Sequence, residues 1–205
     1  LKNYKRVFLA AIFISAVPVS MFYTAAVYLP NFSYTQLSSS EALAFSCLAQ
    51  FLCLILIPLL GYLGDRVGKS KQLFMASLFM VASPIIIFLS YDLFNQMHFT
   101  VTYIIILSLF VSMYSGPGPA LLTESFPVIG RCTGLGIGIS IGEGIFGGLA
   151  PLICLETHKF YQLTAFSSFF ISFIGALSLL GVLLTSSRIF DKFKLQTIGE
   201  IKLSS

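Results

Sequence analysis

Charge is scarce in this chain. Of its 205 residues, 10% are Asp, Glu, Lys or Arg, two are His and none is Trp. A soluble domain carries about a quarter charged residues. The shortage excludes an ordinary cytosolic enzyme, and with it a disordered chain or a nucleic-acid binder, both of which depend on dense charge. The four cysteines, Cys47, Cys53, Cys132 and Cys154, lie in or beside apolar runs without CxxC spacing. They read as small buried hydrophobes and not as metal ligands. His98 and His158 fall in polar gaps and read as solvated loop residues. No Walker A pattern and no Ser/His/Asp set is present, so no ATP site, covalent intermediate or cofactor is implied. Nor does any segment alternate polar with apolar residues, which excludes a membrane β-barrel.

What the chain has instead is oil-soluble surface. It is 57% hydrophobic, with 21 Phe and a mean hydropathy of +0.92. Apolar runs cover residues 7–29, 42–63, 73–90, 99–120, 133–155 and 163–185. Each is long enough to cross a bilayer as a helix, which takes about 20 residues. The expected fold is therefore an all-α membrane protein, a six-helix transmembrane bundle over residues 1–188 with a polar cytoplasmic tail at 189–205. The first run follows Lys2, Lys5 and Arg6, as a signal peptide would, but its apolar stretch exceeds the 7–15 residues of such a segment and reads as a retained helix. The chain begins with Leu1 and not Met, which reads as a fragment or trimmed product.

Basic residues cluster in the N-terminus, the second gap, the fourth gap and the tail. If six helices alternate in direction, Lys159 alone of the twelve Lys and Arg residues falls on the opposite side. The positive-inside rule then places both termini in the cytoplasm.

The second gap reads Gly61-Tyr62-Leu63-Gly64-Asp65-Arg66-Val67-Gly68-Lys69. Its glycines allow close helix approach and a tight turn. Asp65 is an acceptor beside helix ends, and Arg66 and Lys69 are donors for carboxylates of a neighbouring helix. Such a cluster suits a latch that holds in one conformation and breaks in another; a charged loop serving topology alone is the plainer reading. In the fourth gap, Glu124 and Arg131 flank Pro127, so that a carboxylate and a guanidinium can meet at the membrane surface as a gate or as a static ion pair. Gly116-Pro117-Gly118-Pro119 is expected to break the fourth helix near its cytoplasmic end.

The fifth run holds two small-residue series at helical spacing, Gly134/Gly138/Gly142 and Gly136/Ser140/Gly144/Gly148. Small residues at this spacing let helix backbones touch and also make a helix easy to bend. Glu143 is the one acidic or basic residue deep in an apolar run. A mid-membrane carboxylate costs a few kcal/mol or more and faces a cavity or a partner. It reads as a proton or substrate-cation site, or as a neutral acid hydrogen-bonded between helices. Tyr23, near the end of the first run, offers a ring face and a hydroxyl to a cavity or packs in the core, whereas Tyr28 suits the aromatic belt.

At Gly61-x-x-x-Asp65-Arg66-x-Gly68-Lys69 the chain resembles the major facilitator superfamily, whose second-to-third-helix loop carries this signature and repeats it between helices eight and nine. Pro119-Ala-Leu-Leu-Thr-Glu124-Ser-Phe126-Pro127-Val-Ile-Gly-Arg131-Cys-Thr133-Gly134-Leu resembles the tenth-to-eleventh-helix connection of its metabolite:proton symporter branch, which includes proline/betaine and ketoglutarate or citrate transporters. Ile145-Phe146-Gly147-Gly148-Leu-Ala-Pro151 and the first-run ending, Phe22-Tyr23 to Tyr28-Leu29-Pro30, are similar to that branch too.

The resemblance implies helices seven to twelve, the C-terminal half of a secondary transporter in the cell (inner) membrane. It implies symport of a small organic solute, such as proline, betaine or a carboxylate, with protons by alternating access. A separate N-terminal six-helix half or a second copy of the chain would complete it. An inactive remnant or structural subunit of a split transporter is the rival reading, and an integral-membrane enzyme lacks the polar cluster it would need.

Overall fold

The computed structural model describes residues 2–28, 39–93, 96–126, 130–161 and 169–185. Among the described residues every element is helical. Helix α1 spans Lys2–Tyr23 and continues into a π turn, Thr24–Tyr28. Helix α2 spans Ser39–Val67, α3 Lys69–Leu93 and α4 Gln96–Ser115. A short α5, Gly118–Ser125, follows the turn at Gly116-Pro117. Helix α6, Arg131–Gly142, passes through a second π turn, Glu143–Gly147, into α7, Gly148–Tyr161. The last described helix, α8, is Phe169–Thr185.

Four stretches among the described residues are long and apolar enough to cross a membrane: Lys5–Ala26, Leu43–Val67, Val101–Ser125 and Arg131–Cys154. Helix α8 is a shorter apolar helix. The chain is a multi-pass helical membrane protein by this measure. Its surface agrees: Phe51, Leu54, Leu59 and Tyr62 of α2 and Phe169 and Phe173 of α8 are all more than half exposed. In water such a surface would drive aggregation; in lipid it costs nothing.

The core is built on α1 and α4. Ile14, Val17 and Met21 of α1 interlock with Ile104, Leu107 and Tyr114 of α4, all nearly fully buried. Helix α1 lies against both α4 and α6, and α2 covers another side of α4. Packing among membrane helices is driven by close backbone approach, because lipid is as apolar as the side chains. Gly116, at the end of α4, shows this most clearly. A methyl group there would lie 2.8 Å from the Gly61 nitrogen and 3.0 Å from the Ile57 carbonyl oxygen. Between α2 and α3 the chain reverses at Gly68, whose φ of +104° is a left-handed conformation that side chains resist. Helices α1 and α2 run through Pro18 and Pro58 without a break, and it is Gly116-Pro117 that ends α4.

A buried polar chain fastens α4 to α3 and α8. The Tyr114 hydroxyl lies 2.7 Å from both Ser77 Oγ and Ser178 Oγ, and Ser77 donates to the Leu73 carbonyl at 2.7 Å. All three side chains are buried. Nothing in the residue pattern announces this strut, since three hydroxyls far apart in sequence carry no periodic signal. Tyr114→Phe is expected to cost about 1 kcal/mol, in the range of membrane hydrogen bonds. Thermal unfolding in detergent checks it, and an unchanged midpoint would show that the strut adds nothing.

Of the four cysteines, Cys53 and Cys154 are buried, but Cys47 and Cys132 lie on the outer surface, contrary to expectation, because their helix faces look away from the core. The expectations for Pro30, Pro127 and the tail at 189–205 fall outside the described residues, as do the side chains of Tyr28, His98, His158 and Lys159.

Candidate functional site

A cavity of about 820 Å³ opens between α1, α2, α4, α5 and the α6–α7 helix. Tyr23, Ser140 and Glu143 all line it. Pro18, Val19 and Phe22 of α1, Cys53 and Ile57 of α2, and Val111, Tyr114 and Ser115 of α4 complete most of the wall. Glu143 stands twelve residues into the helix that starts at Arg131. At 1.5 Å per residue that is about 18 Å, close to the middle of a ~30 Å hydrocarbon layer. The carboxyl is half-buried.

Two π turns bracket this cavity: one begins directly after Tyr23, the other at Glu143. Single π turns inside α-helices recur at functional sites. Here the second has a visible packing cause. On α1, Ala11, Ser15 and Val19 recur every four residues. Facing them are Gly138, Gly142 and Gly147. The spacing on the glycine side is four, then five. A π turn adds one residue to the turn, so Gly147 and not Phe146 meets Val19. The contact is tight: a methyl on Gly142 would collide with Ser15 Oγ and lie 2.5 Å from the Ile12 carbonyl oxygen. The first π turn leaves the Ala26 carbonyl to accept from Ser46 Oγ of α2 at 2.9 Å.

The second small-residue series behaves differently. Methyl groups on Gly136, Gly144 or Gly148 would meet nothing within 4 Å. Gly144 and Gly148 line the cavity beside Ser140 and Glu143. One series is thus a closed helix contact and the other an open wall.

The charged loops sit apart from this cavity. Lys69 Nζ reaches Glu124 Oε1 at 2.5 Å and Asp65 Oδ1 at 3.7 Å. The Gly68 turn brings it there by starting α3 beside the end of α5. Glu124 was expected to meet Arg131. Instead the Arg131 guanidinium donates to the Phe126 carbonyl at 3.1 and 3.3 Å. The reason is local: α5 ends at Phe126, whose carbonyl lies beyond the helical hydrogen-bond ladder and is within reach of the side chain. Arg66 lies over the Tyr62 ring, 4.6 Å from its centre. Gly61 and Gly64 press α2 onto the α4–α5 turn, where a methyl on Gly64 would lie 2.9 Å from Pro117 Cβ. The charged latch residues therefore fall into three separate contacts and the α2 glycines into a fourth, all within this one chain.

Glu124 accepts a hydrogen bond from Lys69 and raises its pKa above the ordinary lysine value, with Asp65 adding to the effect. A raised lysine pKa stabilises the fold below the unfolded value of about 10.4 and loses that contribution as pH rises through the folded value. The pair is partly solvated, so its worth is about 0–1 kcal/mol. Lys69→Gln is expected to lower the thermal midpoint slightly and equally between about pH 6 and 9, with the difference fading above about pH 10.5. A difference that grew in alkali would contradict this.

Fold and cavity together define a class: a multi-pass helical membrane protein with a mostly apolar cavity that holds one acid and a few hydroxyls among the described residues. Comparison with known proteins narrows it. The chain is 31% identical over 164 residues to a citrate-proton symporter of Salmonella typhi, covering 77% of this chain and 37% of the relative. It is 27% identical over 181 residues to a citrate-proton symporter of Klebsiella pneumoniae, covering 85% and 40%. It is 23% identical over 164 residues to the alpha-ketoglutarate permease of Escherichia coli (strain K12), covering 79% and 38%. The chain thus spans about two fifths of the length of the curated relatives it matches. No family model matches it, and no solved structure does. The relatives are symporters and a permease, not enzymes, named for citrate and α-ketoglutarate; they lend no support to the proline/betaine assignment.

Proposed function

We propose that this chain is one half of a secondary transporter that moves a small organic carboxylate together with protons. The observation that carries the reading is the convergence of Tyr23, Ser140 and Glu143 on one cavity of about 820 Å³, in a chain similar to citrate-proton symporters. In this reading six helices cross the inner membrane with both termini in the cytoplasm, as the distribution of basic residues favours. A second bundle faces the open wall of Ser140, Gly144 and Gly148, and the two rock about a midplane site. Glu143 carries the proton, and the hydroxyls of Tyr23 and Ser140 orient the solute. Lys69, Asp65 and Glu124 hold the cytoplasmic ends of α2, α3 and α5 as one rigid piece during the rocking, with Arg66 left facing outward for the second bundle.

Uptake of labelled citrate and 2-oxoglutarate tests this, in vesicles from cells expressing the chain together with the sequence encoded around it. Uptake that rises with an inward proton gradient and collapses with a protonophore supports the reading. Uptake of neither acid under any gradient overturns it and favours a structural remnant.

A further inference from the structure

Resting on that reading, the cavity's charge has a consequence for what must face it. Among the described residues, no Lys, Arg or His lines the cavity; Glu143 is the one charged residue there, and Tyr23, Cys53 and Tyr114 are the other ionisable groups on its wall. The cations of α6 and α1 stand at helix ends, Arg131 about 18 Å from Glu143 along the helix. The N-terminus of α5 also opens on the cavity at Gly118, where a helix end would ordinarily offer N–H donors to an anion. Two of its first residues, Pro117 and Pro119, have no N–H to give. Ser15 donates to the Ala11 carbonyl at 2.6 Å. A di- or tricarboxylate placed here would meet an acid and a few hydroxyls, with its charge uncompensated at mid-membrane depth.

We infer that the charge neutralising the carboxylate comes from a second, non-identical transmembrane segment bearing an Arg, Lys or His that faces Glu143 across the cavity. Division of labour follows: this chain brings the proton carrier and the hydroxyls, and the partner brings the cation. Two copies of this chain face to face would put two glutamates and no cation in the site, so a homodimer is not the carboxylate carrier. The open wall at Gly144 and Gly148 is where that partner helix seats.

The test uses the purified chain alone in lipid nanodiscs at pH 7, with 2-oxoglutarate as anionic probe and tetramethylammonium as cationic probe. The wild-type chain is expected to show no saturable 2-oxoglutarate binding. E143K is expected to gain it, by about ten-fold or more over E143Q. Because a buried lysine can cost folding, Y23K combined with E143Q places the cation at the half-exposed cavity rim instead, and gel filtration identifies which variants are folded. Saturable 2-oxoglutarate binding by the wild-type chain overturns the inference while leaving the transport reading in place. Folded lysine variants that gain no 2-oxoglutarate, with a wild type that retains tetramethylammonium, overturn both the inference and the carboxylate reading.

Discussion

If the chain is half of a carboxylate–proton symporter as proposed, Glu143→Gln is expected to remove proton-driven uptake and spare the fold. In vesicles containing the complete transporter, citrate uptake driven by an inward proton gradient falls at least about ten-fold, a loss of more than ~1.4 kcal/mol of coupling. Counterflow of citrate without a gradient is retained, because the amide keeps the size of the side chain and lacks only the exchangeable proton. The argument rests on position. The carboxyl sits about 18 Å along its helix from Arg131, on the wall of the cavity and at the start of a π turn. A group there reaches water from a side that alternating access would switch. Thermal stability is expected to stay equal or rise slightly, since an ionised carboxylate away from water costs more than a neutral amide, while a protonated acid costs about the same. The competing account makes Glu143 a neutral acid bonded between helices. It predicts that the amide substitutes fully, with gradient-driven and counterflow rates unchanged. Glu143→Asp separates the cases further: a proton carrier displaced by one methylene slows but still couples.

The all-helical, membrane-spanning character was legible in hydropathy, although four described stretches, against the six runs expected, are long and apolar enough to span, and two local features stood out against the apolar pattern. Glu143 stands out because it is acidic in a run with no other charge, and Gly116-Pro117 because proline removes a donor and a helix bond. Those are local facts, readable one stretch at a time. The π turns were not readable in that way. EGIFG has ordinary helical spacing on its own, and its extra residue makes sense only against Ala11, Ser15 and Val19 of another helix. The same holds for Lys69. Its sequence neighbours offer Asp65 one turn away, yet its shorter ion pair is with Glu124, 55 residues on. The Tyr114 strut joins residues 37 and 64 positions apart. Each of these depends on which helices are adjacent, and periodicity within one helix carries no record of that. Of the two glycine series, spacing alone ranked them equal; the packed one differs from the open one only through what lies opposite.

That difference gives a second large effect. Gly142→Ala is expected to destabilise the protein by about 1–3 kcal/mol, the range for forcing atoms into a packed interface, whereas Gly144→Ala is expected to stay within about 0.5 kcal/mol of wild type. The two positions are two residues apart in one glycine-rich stretch, and propensity alone would favour alanine at both. At Gly142 the added methyl meets Ser15 Oγ and the backbone carbonyl of Ile12. Ser15 can rotate, but the carbonyl belongs to α1 and moves only if the helix moves. Relief therefore requires α1 and α6 to separate, which also pulls apart the wall that carries Tyr23 and Glu143. Gly147 is the intermediate case, since its obstacle is a Val19 methyl and not backbone; alanine there costs less than at Gly142. At Gly144 the methyl enters open space beside the cavity, so the isolated chain tolerates it. In the complete transporter the order changes for activity: if a partner helix seats on that wall, Gly144→Ala lowers transport without lowering the chain's own melting temperature. Equal stability loss at Gly142 and Gly144 would show that the helix register described for α1 and α6 is wrong, because positions two residues apart lie about 200° apart around the helix and cannot both face α1.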